Sequence, residues 1–220
     1  MPEEQFVKQL QQYYANKGFL TKTEVGAGYG VADLVLVRLN PNKCKIRINH
    51  KQEVPLLKEE YFKTLKYISD IDHNKPPTDI DYLIKHTKLP RHLLKSKVLK
   101  ELELNGYIKE INKNTYLKIN GWVPIAKEVI AIEAKMHAWK RGLIQANRYK
   151  SFADKVYLAV PTNVANLVSK EMLIKFNIGL LSFDADKDNM KVGFKPSVQK
   201  PIYEDKRNFV SEFFWSYNGI

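Results

Sequence analysis

Cysteine is nearly absent, with Cys44 the one such residue in a chain of 220. A disulfide framework and a cysteine-ligated zinc site are therefore excluded within the chain, and a reducing, cytoplasmic setting is expected. Long apolar runs are lacking too. None approaches the roughly 18 residues a membrane helix needs. The opening stretch MPEEQFVKQLQQYY has no apolar core of signal-peptide length, so no membrane partner is expected. Internal repeats and low-complexity tracts are missing. The histidines His50, His73, His86, His92 and His137 fall into no metal-ligand spacing, and His137 reads as a surface histidine. There is no GxxxxGK phosphate cradle and no Ser-His-Asp arrangement. Acidic residues are also in short supply: 24 Asp+Glu against 36 Lys+Arg leave a net charge of +12. A surplus of that size favours a polyanionic partner, nucleic acid or an anionic surface.

What is present is enough apolar residues, 44% of the chain, to build a core. Residues 3–16 read as a helix, with Phe6, Val7, Leu10, Tyr13 and Tyr14 at helical spacing and Glu3 and Glu4 in the first turn, where the dipole favours them. FLTKTEV and VADLVLVRL read as strands around the turn GAGYG, and CKIRINH as a weak third strand. The period changes near residue 56. Helices are predicted over 56–71, 78–88 and 90–106, then a hairpin over 107–119, with a break at HNKPP. Three helices followed by a hairpin is the order of a winged helix-turn-helix. After it, strands and helices alternate from EVIAIEAKM onward, which argues for a largely parallel sheet. The chain thus divides into a first core segment 1–55, an inserted module 56–119 and a second core segment 120–220. The aromatic tail Phe209, Phe213, Phe214, Trp215 and Tyr217 closes either the core or a dimer contact.

The chemistry sits in one strand. In VIAIEAKM, Glu133 and Lys135 share a face, while Ile130, Ile132 and Ala134 share the other. Asp33 stands near the start of an earlier strand. Two carboxylates on adjacent strands, with a lysine beside one, can hold a divalent cation that activates water and steadies charge on a phosphate. Asp33…Glu133-Ala134-Lys135 resembles the D…(D/E)xK motif of the PD-(D/E)XK nuclease superfamily, which has the restriction-endonuclease-like fold. Gln145-Ala-Asn-Arg-Tyr149, on the next helix, resembles the QxxxY motif of exonucleases within that superfamily. The sequence departs from the family pattern in having Ala32 where a proline often stands, and in the 133 − 33 = 100 positions between the two acids. The resemblance covers about 1–50 and 120–195. It implies a mixed α/β sheet core flanked by helices. It also implies Mg²⁺, with Mn²⁺ as a substitute, held by Asp33 and Glu133 with a further contact from Glu4. Lys135 and Gln145 would complete the catalytic set, and a homodimer follows by analogy with the fold alone.

The inserted module would read the nucleic acid. Lys85, Lys88, Arg91, Lys95, Lys97 and Lys100 lie in a stretch without Asp or Glu. In a helix-turn-helix, Arg91, His92, Lys95 and Ser96 would reach base edges, while Lys88, Lys97 and, at the wing tip, Lys113 would meet phosphate. Tyr149 is a further expected DNA contact. The expectation is a magnesium-dependent DNA endonuclease acting on duplex. A non-catalytic DNA-binding regulator on the same core and an RNA- or junction-directed nuclease stay open.

Overall fold

The computed structural model describes residues 1–27, 30–71, 75–184, 187 and 189–215. Part of the GAGYG turn, His73 and Asn74 of the HNKPP break, and Tyr217 lie outside the described residues. The protein is α/β and forms two compact units: Met1–Leu39 with Ala126–Phe214, and Asn40–Ile125 with Trp215. Among the described residues no helix is long and apolar enough to cross a membrane.

The first unit is built on an open six-stranded mixed sheet. Its strands are β1 (Leu20–Gly26), β2 (Val31–Leu39), β7 (Ala126–Ala134), β8 (Lys155–Pro161), β9 (Gly179–Asp184) and β10 (Asn189–Phe194), in that spatial order. β2 runs antiparallel to both of its neighbours, β1 and β7; β7, β8 and β9 run parallel; β10 returns antiparallel. Strands β2 and β7 read as almost unbroken apolar runs because both sheet faces are covered. On one face Leu34, Leu36, Ile130, Ile132 and Ala134 pack with Phe6, Val7 and Leu10 of helix α1 (Glu3–Asn16). On the other, Val35, Val37, Val129 and Ala131 pack with Leu143 and Ala146 of helix α7 (Trp139–Arg148), and with Val210 and Phe214 at the end of helix α10 (Glu204–Glu212). Phe214 therefore closes this core. The stretch NVANLVSKEMLIKFN, whose apolar spacing reads as one helix, forms two, α8 (Thr162–Ala165) and α9 (Lys170–Phe176), the second capped by Ser169 Oγ.

The second unit corrects one expectation. CKIRINH is not a strand: Pro41–Asn49 is helix α2. Asn40 caps it, its side-chain oxygen accepting from the N–H groups of Asn42 and Lys43, and Pro41 stands at the first helical turn. An asparagine cap followed by proline outweighs a short β-branched alternation. The unit continues with α3 (Glu59–Tyr67), β3 (Ser69–Asp70), β4 (Thr78–Asp79) and α4 (Ile80–Thr87). A helical stretch follows, from α5 (Arg91–Leu93) through a π-turn (Leu94–Leu99) into α6 (Lys100–Leu104), and then the hairpin β5 (Ile108–Asn112) and β6 (Thr115–Lys118). β6 pairs with β3, β4 and β5 in a small mixed sheet. Of the stripe that helical spacing predicts, Leu94, Val98, Leu99 and Leu102 are buried and Leu93 is half-buried. The buried Arg47 donates to the Gln52 carbonyl and to the Tyr107 hydroxyl, and its guanidinium lies 4.7 Å from the Trp215 ring. The unit begins at Asn40 and ends at Ile125, beyond both limits of the 56–119 segment. The Asn40 N–H donates to the Ile125 carbonyl at 2.8 Å, so its two ends lie side by side.

Gly179 opens β9 against Tyr157. A methyl group there would come 2.2 Å from Tyr157 Cδ1 and 2.7 Å from Pro196 Cδ. Gly179→Ala is expected to destabilise the protein by about 1–3 kcal/mol through overpacking, read as a lower thermal midpoint; an unchanged midpoint would contradict this packing.

Candidate active site

The register of β2 on β7 assembles the site. Leu34 pairs with Ile132, so one step further along the antiparallel ladder Asp33 stands opposite Glu133. The Ala134 N–H, freed at the strand end, donates to Asp33 Oδ2 at 2.8 Å. Lys135 follows, its own N–H held by the Ala159 carbonyl. Its Nζ donates to Glu3 Oε1 at 2.8 Å and to the Ala134 carbonyl at 2.9 Å. The same ammonium lies 2.9 Å from Glu133 Oε1 and 3.7 Å from Asp33 Oδ2. Three carboxylates thus surround one ammonium, and with all four groups ionised the formal charge is −2.

Helix α7 fixes the other side. Gly142 lets it approach closely, since a methyl there would lie 2.8 Å from Lys135 Cγ and 2.7 Å from Leu158 Cδ1. Seven residues on, Tyr149 is buried, and its hydroxyl contacts both Glu133 Oε2 and, at 2.7 Å, the Val31 carbonyl. Gln145 lies between Gly142 and Tyr149 on the same helix face, and its buried Oε1 has no hydrogen-bond partner among the described residues. Gly30, with φ of 152°, brings the chain against the Tyr149 ring.

Burial governs the ionisation. It pushes the Asp33 carboxyl above its usual range, against the opposing pull of the Ala134 N–H and the Lys135 ammonium. It raises Glu133 too, against the Tyr149 hydroxyl, and Asp33 adds like-charge repulsion. Burial works to lower Lys135, but the neighbouring Glu3 and Glu133 carboxylates outweigh that and leave it above the ordinary lysine value. Burial and Glu133 push the Tyr149 phenol far up, so it stays a donor. Lys135 is accordingly a cation at neutral pH, suited to steadying negative charge rather than to removing a proton.

The donor set suits a hard divalent cation, which takes carboxylate oxygens. Glu133 Oε1 is the most telling atom: it is buried and within ion-pair distance of Lys135, yet it lacks the alignment of a hydrogen bond. Among the described residues no three His, Cys, Asp or Glu side chains are grouped to hold a metal. As they stand, the carboxylates converge on the ammonium rather than on one another. Asp33 and Glu133 are the residues that would hold the ion, with Glu3 within reach through the same lysine. A cleft of about 370 Å³ opens beside them, lined by Glu3, Glu4, Lys8, Thr23, Glu24 and Asp33 among others. Glu24, with φ of 55°, stands in β1 between the Thr23–Leu34 and Val25–Ala32 pairs, beside Asp33.

Two expected residues take other places. Glu4 is exposed and pairs with Lys8 at 2.7 Å; Glu3, one position earlier, is the first-turn acid that reaches the site, through Lys135 Nζ. Tyr149 cannot be a DNA contact, because it is buried against Glu133. In the second unit Lys88, Arg91, His92, Lys95, Ser96, Lys97 and Lys113 are all exposed. Arg91 is paired with Asp81, Lys95 donates to Asn114 Oδ1 at 2.8 Å, and Ser96 donates to the His92 carbonyl. Lys88 ends α4 in a left-handed conformation, and Lys113 stands in the β5–β6 turn. Gly142 is the functional position missed: a glycine inside a helical pattern is the signal that a close approach leaves.

No family model, curated protein or solved structure matches this chain. What the site does must be read from its own geometry.

The raised Glu133 makes a signed prediction for the metal-free protein. A carboxyl whose folded value is raised favours folding while protonated, and that contribution is lost as pH rises through the folded value. Glu133→Gln is permanently neutral. Its stability relative to wild type should therefore increase as pH rises from the ordinary glutamate range to neutrality, measured by denaturant unfolding in EDTA. A wild type that gains on the variant over that range would contradict it.

Proposed function

We propose that the protein is a metal-dependent DNA endonuclease of the PD-(D/E)XK type, hydrolysing phosphodiester bonds. The observation that carries this reading is the placement of Asp33 opposite Glu133, with Lys135 Nζ within 3.7 Å of both carboxylates. The chain order helix, three antiparallel strands, helix, parallel strand supports a restriction-endonuclease-like core. Strand and hairpin placement in the second unit supports a winged helix, and its exposed basic helix and turn suit phosphate contact.

Asp33 and Glu133 would hold Mg²⁺, or Mn²⁺ in its place. When bound, the ion would lower the pKa of a coordinated water and neutralise charge on the phosphate. The rest falls to the chain's own groups. Lys135, kept cationic by Glu3, would offer its charge to the phosphate oxygens as water attacks phosphorus, the bond to the leaving oxygen breaks, and the water's proton passes through solvent to that oxygen. Tyr149 orients Glu133 by holding its second oxygen. Gln145, with an unused buried carbonyl oxygen, faces the same site and would orient Lys135 or the substrate. Duplex DNA is the proposed substrate. A second reading, a binding protein without catalysis, has one observation on its side: the ammonium already neutralises part of the carboxylate cluster.

Plasmid incubated with Mg²⁺ should be cut by the wild type. Glu133→Ala and Lys135→Ala should each lose about a hundredfold or more in rate. Cutting that survives both substitutions contradicts the site; duplex binding without cutting by any form favours the second reading.

A further inference from the structure

The second unit carries an aromatic column that the proposed chemistry leaves unused. Tyr82 and His86 stand one turn apart on α4, and Tyr67 ends α3. The His86 ring lies 4.0 Å from the Tyr82 ring at 32°, and 5.1 Å from the Tyr67 ring at 42°. His86 Nδ1 is 2.8 Å from the Tyr82 carbonyl. A carbonyl can only accept, so Nδ1 carries a proton, and the bond fixes the ring between the two tyrosines. Tyr82 nevertheless remains 48% exposed. His86 covers one of its faces, and no other ring packs on it among the described residues.

Both tyrosines open onto one cavity of about 520 Å³, within the range of small-ligand sites. Its wall also carries Lys66, Lys75, Lys118, Asp70 and Asp79, with the flat apolar surfaces of Pro76 and Pro77. Lys118 is committed to Asp70 at 3.0 Å, and Asp79 caps α4 by accepting from the Asp81 N–H. Neither Lys66 nor Lys75 is in an ion pair among the described residues. Lys66 Nζ lies 5.8 Å from the Tyr67 ring centroid, so that lysine stands at the edge of the column itself. A half-exposed aromatic face beside lysines outside any ion pair matches the two parts of a nucleotide, a flat base and its phosphate.

We propose that the Tyr67–His86–Tyr82 column is a stacking platform for an unpaired nucleobase, with Lys66 and Lys75 meeting the adjoining phosphate. The inference rests on nucleic acid being this protein's ligand and adds what the duplex reading lacks, a site for a single-stranded segment. Stacking accepts any base, so the site reads strandedness rather than sequence. A base inside a duplex has both faces covered by its neighbours and cannot use it.

The test is fluorescence anisotropy in EDTA with a short labelled oligonucleotide, single-stranded or annealed to its complement. Tyr82→Ala should weaken single-strand binding by about tenfold or more while duplex affinity stays unchanged, and Tyr82→Phe should bind as wild type. Tyr82 is exposed, so the truncation leaves the core intact, which circular dichroism checks. No single-strand binding by the wild type, no loss in Tyr82→Ala, or equal loss on both probes would overturn the proposal. These outcomes are independent of cleavage. If Tyr82 governs single-strand binding but no form cuts DNA, the nuclease reading alone fails; if duplex is cut and Tyr82 makes no difference, this inference alone fails.

Discussion

The ammonium of Lys135, held among Glu3, Asp33 and Glu133 at the end of β7, is the interaction on which the rest of the site depends. Each acid reaches it from a different element: Glu3 from α1, Asp33 from β2, Glu133 from β7 itself. Removing the lysine would leave carboxyls that burial already disfavours as anions, with like charge between them. A buried charge without its partner is costly, of order 3–5 kcal/mol in comparable settings. The same arithmetic leaves surplus negative charge once the lysine is counted, which a divalent cation would relieve.

The backbone makes this geometry inescapable once β2 and β7 pair. Their register puts Asp33 opposite Glu133 and frees the Ala134 N–H to hold the aspartate. A second unit of more than eighty positions, Asn40 to Ile125, interrupts the chain between the two strands at little entropic cost. Loop-closure entropy grows only as the logarithm of length, about 0.6 kcal/mol per doubling, and the Asn40–Ile125 hydrogen bond brings the ends of the insertion together. Helix α7 adds the opposite wall, its distance set by Gly142.

Much of this was legible in the sequence. The alternation in VIAIEAK placed Glu133 and Lys135 on one face and the isoleucines on the other, and the packing of α1 and α7 follows that division. Other parts were not. Glu3 and Glu4 both occupy the first turn of α1, and only the azimuth of the packed helix separates the one that meets Lys135 from the one that meets Lys8. Tyr149 read as a DNA contact because sequence spacing shows which side of a helix a residue takes, not how deeply that side is buried. CKIRINH read as a strand because its alternation was weighed without the Asn40 cap and Pro41 before it. Arg47 gave no hint of burial; its partners Gln52, Tyr107 and Trp215 are brought together only by the fold.

If Asp33, Glu133 and Lys135 make a divalent-cation site rather than a closed ion-pair cluster, the metal-free protein must take up such an ion. Calorimetric titration of the metal-free protein with Ca²⁺, a hard oxygen-seeking cation, tests it without requiring catalysis. A binding isotherm is expected for the wild type that Glu133→Gln abolishes, with the variant still folded. Absence of binding in the wild type, or an identical isotherm in the variant, would contradict it.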